Sequence, residues 1–281
     1  MQNESIAART KRLLASYGLH AKKGLGQNFL IDGSVLKKIA GAAELTPTDT
    51  VIEVGPGLGI LTETLTKQAG KVIAVELDNN LAGILKNNFS GFDKVAIING
   101  DILKINPSEI LGKQTEYKVV ANLPYYITSA VIRHFLESPV NPNIMVLMVQ
   151  KEVAQQITAQ PGEMSLLSVS VQLYGKPTLV SKVAAGCFYP APNVDSAILK
   201  IDVYPRPKVH TNDITAFFDI VRAGFSANRK QLPNSLANGL KVPKTEIMPL
   251  LEQAGIDPKR RAETLTIDEW GVLYNVFKSK A

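Results

Sequence analysis

Cysteine is almost absent from this chain. Of 281 residues only Cys187 carries a thiol, so no intrachain disulfide can form and a cysteine-based zinc site is excluded. Histidine is nearly as scarce. His20, His134 and His210 stand far apart in the sequence, in none of the spacings that ligate a metal, and no catalytic metal is expected. No apolar run approaches the roughly 20 residues that span a bilayer. Residues 1–12 are polar with scattered charge and lack the apolar centre of a secretory signal. The expectation is a cytoplasmic protein without a membrane anchor. Internal repeats and low-complexity tracts are also missing, which argues against a solenoid or a disordered array.

What is present suits a globular protein. Hydrophobic residues make up 45% of the chain, enough for one sizeable core and a smaller companion domain. The net charge of +6 is unevenly placed. Residues 1–25 set five basic side chains against Glu4, and residues 206–281 set twelve basic against eight acidic. The stretch 26–205 is slightly acidic, with fourteen against sixteen. Basic ends of this kind attract phosphate backbones, although an ordinary solvated surface gives the same totals.

Short apolar runs rich in Val and Ile, at 50–54, 72–75, 95–98, 118–121 and 144–149, read as buried strands. Amphipathic stretches at 60–68, 79–89 and 129–136 alternate with them. That alternation predicts an α/β fold with a mostly parallel, Rossmann-like sheet covered on both faces. The runs at 178–184 and 196–204 have no long helix between them and predict an antiparallel pair closing one edge. Pro205-Arg206-Pro207 is the expected domain boundary. Beyond it the pattern is helical, so residues 1–205 are expected to form the catalytic domain and 206–281 a small all-helical one. Thr266 with Glu269 three residues later matches a capping box for the last helix.

The loop Glu53-Val-Gly55-Pro-Gly57-Leu-Gly59 follows the first buried strand and precedes a helix, the place where open α/β sheets bind nucleotides. It lacks the Gly-Lys-Ser/Thr ending of a phosphate-binding P-loop, and its glycine spacing departs from the dinucleotide fingerprint. The next strand ends at Glu76, a carboxylate about twenty residues on, where a ribose diol is held in such folds. The third ends in Asn99-Gly100-Asp101, whose carboxylate can accept from an adenine amine. Three successive strand ends with nucleoside-binding residue types favour an adenosyl cofactor.

The fourth strand delivers Asn122-Leu123-Pro124-Tyr125, which resembles the Asn/Asp-Pro-Pro-Tyr class of motif in amino-directed methyltransferases. The exocyclic amine of adenine is a poor nucleophile because its lone pair is delocalised into the ring. Two acceptors, the Asn122 side-chain oxygen and a carbonyl near Leu123, can hold its N–H groups and stabilise charge building on nitrogen. Tyr125 offers an aromatic face for the base. Phe188, in Cys187-Phe188-Tyr-Pro-Ala-Pro-Asn-Val-Asp195-Ser196, can close the other face of a flipped base or serve as a core aromatic. Upstream, Lys22-Lys-Gly-Leu-Gly26-Gln27-Asn28-Phe29-Leu30 reads as a lid with Gln27, Asn28 and Leu30 on its inner side, or as an ordinary helix-leading loop.

Taken together with Arg261-Ala-Glu-Thr-Leu265 near the C-terminus, these segments resemble the ribosomal RNA adenine dimethyltransferase family, in order and over nearly the whole chain. The resemblance is nearest to members acting on the small subunit. It implies an S-adenosyl-L-methionine-dependent enzyme that dimethylates two adjacent adenosines in a hairpin near the 3′ end of 16S rRNA, acting on the partly assembled small (30S) subunit. By position it carries Asn28, Leu30, Gly55, Glu76, Asp101 and Asn122 over as cofactor contacts, with Gln27 and Gly57 beside them. Asn122, Leu123, Pro124, Tyr125 and Phe188 would handle the base. A monomer is expected. Many members have Asn after the catalytic Tyr, where this chain has Tyr126, and altered loop packing is expected there. The family's basic run near 225–230 is reduced here to Arg229 and Lys230. The rival readings are a large-subunit adenine methyltransferase of the macrolide-resistance type and a non-catalytic RNA-binding assembly factor. A nicotinamide dehydrogenase is disfavoured by the glycine spacing.

Overall fold

The computed structural model describes residues 4–211, 213–227 and 229–279. The first three residues of the polar N-terminus and Asn228 of the basic run therefore lie outside the described residues. The chain divides into two compact units, one of residues 1–154 with 177–203, the other of 155–176 with 204–281.

The first unit is built on strands β1 (Phe29–Leu30), β2 (Thr50–Val54), β3 (Lys71–Glu76), β4 (Val95–Asn99), β5 (Lys118–Asn122), β6 (Ile144–Gln150), β7 (Gly175–Val183), β8 (Phe188–Tyr189) and β9 (Ser196–Val203). Seven of them form one sheet in the order β4-β3-β2-β5-β6-β9-β7. Strands β4 through β6 are mutually parallel, and β9 runs antiparallel to β6. The two late runs close one edge of the sheet, as expected. The run at 196–203 inserts beside β6, and β7 lies outside it as the edge strand. Every residue of β2 is buried, as a parallel strand covered on both faces requires.

Helices α1 (Ile6–Ser16), α2 (Gly33–Ala42), α3 (Ile60–Thr66), α4 (Asn79–Asn88), α5 (Pro107–Leu111) and α6 (Thr128–Leu136) belong to this unit. Local chemistry sets their starts. Asp32 accepts from the backbone of Ser34 and Val35 at the head of α2, and Asp78 accepts from Asn80 and Leu81 at the head of α4; each satisfies donors that a helix leaves unpaired. Ile39, Val51, Leu65, Val72, Val120 and Val146 are fully buried in one cluster between helices and sheet.

Helix α7 (Lys151–Ile157) crosses from one unit to the other. Helices α8 (Leu166–Gln172), α9 (Ile214–Gly224), α10 (Leu232–Leu240), α11 (Lys244–Gln253) and α12 (Ile267–Lys278) make up the second unit. Its core gathers Phe217, Leu236, Leu251, Trp270 and Leu273. The division differs from a break at 205/206. Met164, Val169 and Leu173 belong to this helical core, and the Gly162 amide donates to the Glu263 carbonyl at 2.8 Å. No proline pair or change of composition marks that excursion, so pattern alone placed it with the sheet. The Thr266–Glu269 capping box is formed reciprocally, and the Arg260 guanidinium pairs with Glu269. Among the described residues no helix is long and apolar enough to cross a membrane.

Candidate active site

The strand order reverses direction between β2 and β5, and ligands of open α/β sheets bind outside the carboxyl ends at such a switch. Here those ends lie side by side and deliver Gly55, Glu76, Asp101 and Asn122 to one edge. A cleft of about 1140 Å³, its open mouth included, lies over them. Gln27, Asn28, Leu30, Gly55, Gly57, Glu76, Asp101, Asn122, Leu123, Pro124, Tyr125 and Phe188 all line it. Every residue that the sequence singled out for the site is therefore brought to one cavity.

The glycine turn owes its shape to two different needs. Gly55 sits at φ +67°, and a Cβ there would meet nothing within 4 Å, so its open side is available to a ligand. Gly59 sits at φ +82° and a Cβ would come within 2.8 Å of the Phe89 ring, so no other residue fits without movement. Glu76 ties this turn to the next strand. Its Oε2 accepts from the Gly57 amide at 3.0 Å and its Oε1 from the Asp78 amide at 2.9 Å. Both oxygens are held in place, and each retains a lone pair for a further donor. Burial pushes the Glu76 carboxyl up from its ordinary range, against the pull of these amides.

The segment before α2 closes over the strand ends through specific contacts. Strand β1 pairs antiparallel with β8, with Leu30 opposite Phe188 and Phe29 opposite Tyr189. The Lys22 ammonium lies 2.6 Å from the buried Asp78 carboxylate. Burial alone would raise Asp78, but Lys22 and the two backbone donors of α4 hold it below the usual carboxylate range. The Lys22 amide donates to Gln27 Oε1 at 2.9 Å, and Asn28 Nδ2 donates to the Gly26 carbonyl at 3.2 Å. The Asn28 carbonyl in turn accepts from Asn122 Nδ2 at 3.0 Å.

That last bond orients the catalytic candidate. With its nitrogen committed to Asn28, the Asn122 amide keeps Oδ1 as its accepting end. The Leu123 amide donates to the Met148 carbonyl at 3.2 Å, anchoring the strand tip to β6. Tyr125 opens a single turn of 3-10 helix, Tyr125–Ile127. Its hydroxyl is 2.8 Å from the Oγ of the buried Ser196. Burial raises the Tyr125 phenol, with Ser196 acting against the shift and Asp195 adding to it. Phe188 is 3% exposed; it lines the cleft and also packs in the core cluster with Val51 and Val146. Asp101 Oδ1 accepts from the Leu103 amide at 3.1 Å.

Sequence reasoning gave Glu53 and Leu77 no place in the site and Tyr126 only an effect on loop packing, yet all three line the same cleft. Glu53 is 1% exposed, and its Oε2 has no hydrogen-bond partner among the described residues. Burial pushes its carboxyl up to about 8; the nearby Thr62 hydroxyl opposes the rise and the Glu76 charge adds to it. The available signal was an acid inside an otherwise apolar buried strand. Leu77 is half exposed at the cleft. A buried carboxyl with one unpartnered oxygen among the described residues and a second buried carboxylate flank an open glycine turn, with apolar Leu30, Leu77 and Ile102 nearby. This set fits a ligand that is cationic at one end and carries a flat ring at the other.

In the helical unit, Arg229 and Lys230 line a shallow pocket with Phe225, Ser226 and Ala227.

Known proteins resemble this chain over most of its length. The sequence pattern of the family described as "Ribosomal RNA adenine dimethylase" matches residues 18–279. A protein of Dehalococcoides mccartyi named "Ribosomal RNA small subunit methyltransferase A" is 54% identical over 273 residues, covering 97% of this chain and 94% of its own. A relative of the same name from Moorella thermoacetica is 44% identical over 280 residues, covering 96% of this chain and 97% of its own. Among solved structures, a dimethyladenosine transferase from Plasmodium falciparum superposes with a TM-score of 0.77 at 27% identity, over 90% of this chain and 98% of its own. The 23S rRNA methyltransferase ErmE gives 0.72 at 29% identity, over 89% of this chain and 100% of its own.

Proposed function

The chain belongs to the ribosomal RNA adenine dimethylase family and is a methyltransferase, and from that premise we propose that it dimethylates N6 of two adjacent adenosines in a hairpin near the 3′ end of 16S rRNA. The substrate in this reading is the small (30S) ribosomal subunit during assembly, the protein acts as a monomer in the cytoplasm, and the donor is S-adenosyl-L-methionine. The observation that carries the reading is the single cleft in which the Asn122–Tyr125 tip meets the glycine turn and Glu76. Both curated relatives described above carry a small-subunit name.

When bound, the donor supplies a methyl group made electrophilic by its sulfonium. Glu76 would accept from its ribose through the lone pairs left by Gly57 and Asp78. Asp101 would accept from its adenine amine, and Gly55, Gly57, Gln27, Asn28, Leu30 and Asn122 would hold its remaining parts. On the substrate side, Asn122 Oδ1 and the Leu123 carbonyl accept the two N–H groups of the target amine. That grip would orient the nitrogen lone pair for attack and stabilise the positive charge that develops on nitrogen. Pro124 sets the sharp turn after Leu123. Tyr125 and Phe188 supply the flanking aromatic faces for a flipped base. No residue needs to remove a proton before transfer, because the amine loses it only once nitrogen is cationic. The helical second unit and the basic ends serve RNA recognition in this reading.

The deciding experiment is mass spectrometry of rRNA after the protein is incubated with labelled S-adenosylmethionine and small or large subunits. Two dimethyladenosines in the small-subunit rRNA are expected. Label on large-subunit adenine instead would favour the macrolide-resistance type, a reading kept open by the fold match to ErmE. No label on either would favour a binding factor.

A further inference from the structure

Tyr125 and Tyr126 are consecutive in one turn of 3-10 helix, yet their surroundings differ. Tyr125 is half-buried with its hydroxyl against Ser196. Tyr126 is 63% exposed, more than any other large hydrophobic side chain among the described residues, and it also lines the cleft. Successive residues of a 3-10 turn point about 120° apart, so one ring is turned toward the β9 side and the other toward water. One edge of the Tyr126 ring lies beside the Gly26 loop. A Cβ added to Gly26 would lie 3.5 Å from its Cε1 and 3.3 Å from Pro124 Cβ, so that edge adjoins the loop that precedes β1. A water-facing aromatic ring at the mouth of a nucleotide cleft is a stacking platform in search of a base.

The chemistry of base flipping supplies that base. Drawing one adenine into the cleft breaks its stack with each neighbour, leaving adjoining nucleotides with an uncovered face in water. We propose that Tyr126 is a substrate-binding residue that stacks on a nucleotide base next to the one in the cleft and holds the RNA strand at its mouth. The inference rests on the adenine methyltransferase reading and extends it to a second nucleotide. It also gives the chain's departure from the Asn found here in many members a function beyond loop packing. With two adjacent targets, the base not being methylated stays on the Tyr126 ring while the other occupies the cleft.

The test uses the full-length protein and small ribosomal subunits reconstituted with 16S rRNA that carries a probe in the substrate hairpin. 2-Aminopurine, whose fluorescence is quenched by stacking, replaces in turn each nucleotide flanking the adenosine pair and the second adenosine itself. Wild type is expected to quench the probe at one or more of these positions. Tyr126→Ala should lose that quenching and bind the subunit about 5-fold to 100-fold more weakly, the range that base–aromatic stacking supplies. Its affinity for S-adenosylmethionine should match wild type, and Tyr126→Trp should restore both quenching and subunit affinity. Tyr126→Ala with wild-type quenching and affinity overturns the inference. So does a loss of affinity with quenching intact, which would assign the ring to packing against the Gly26 loop. A wild type that quenches the probe at none of the positions also overturns it. Failure of wild type to methylate either ribosomal subunit would sink the underlying reading instead, and this inference with it.

Discussion

Asn122 shows how much one side chain depends on its neighbours. Its type and place at the end of β5 were legible from the motif, but the direction of its amide was set by the Asn28 carbonyl, 94 residues away in sequence. Asn122→Ala removes the proposed acceptor and should cut methyl transfer by about a hundredfold or more, while filter binding shows RNA affinity retained. Full activity in that variant would refute its role. Glu53 is the opposite case, a residue whose chemistry only burial reveals. Its folded-state value of about 8 stands above the 4.5 of an unburied carboxyl. Between those pH values the folded chain keeps a proton that the unfolded chain releases, so this group lowers stability as pH rises through the window. Glu53→Gln cannot ionise. Its melting temperature relative to wild type, both without ligand, should therefore increase from roughly pH 5 to roughly pH 9. A pH-independent difference would contradict the assignment.

At the scale of elements, the parallel strands and their glycine turn followed directly from the run lengths and spacing of apolar residues. Five Val- and Ile-rich runs became β2 to β6 with boundaries moved by a residue or two. The capping residues Asp78 and Thr266 lie where their helices begin, because a cap is a local bond between residues two or three apart. The reason for Gly59 was not legible, since Leu85 on α4 and Phe89 at its C-cap occupy the space that a Cβ there would need. Gly59→Ala places a Cβ 2.8 Å from one and 2.9 Å from the other at φ +82°. A loss of about 1–3 kcal/mol is expected, read from urea unfolding; an unchanged midpoint would show that α4 yields without cost. The pairing of β1 with β8 was also hidden. Two-residue strands carry no periodicity, and only the docked chain shows Leu30 facing Phe188.

For the molecule as a whole, charge distribution and unit boundaries fared differently. The basic ends are plain from counting, and they make a prediction. If these ends grip phosphate, small-subunit binding should weaken steeply between roughly 50 and 200 mM salt, with a linear fall of log affinity against log salt. A flat response in a binding titration would remove them from the interface. The boundary at Pro205-Arg206-Pro207 was visible, but residues 155–176 join the helical unit although β7 and β9 follow them. Which core a segment enters depends on whose apolar surface it covers, and Val169 and Leu173 bury themselves with Trp270 and Phe217. The chain's own letters determined the order of strands and helices, the turn glycines, the caps and the acidic and amide groups at each strand end. Each of these is written in residue types within a few positions of one another. Tertiary structure decided the ionisation of Glu53, the aim of Asn122, the exposure of Tyr126 and the membership of 155–176. Those depend on desolvation and contact with residues distant in sequence, which exist only once the chain has folded.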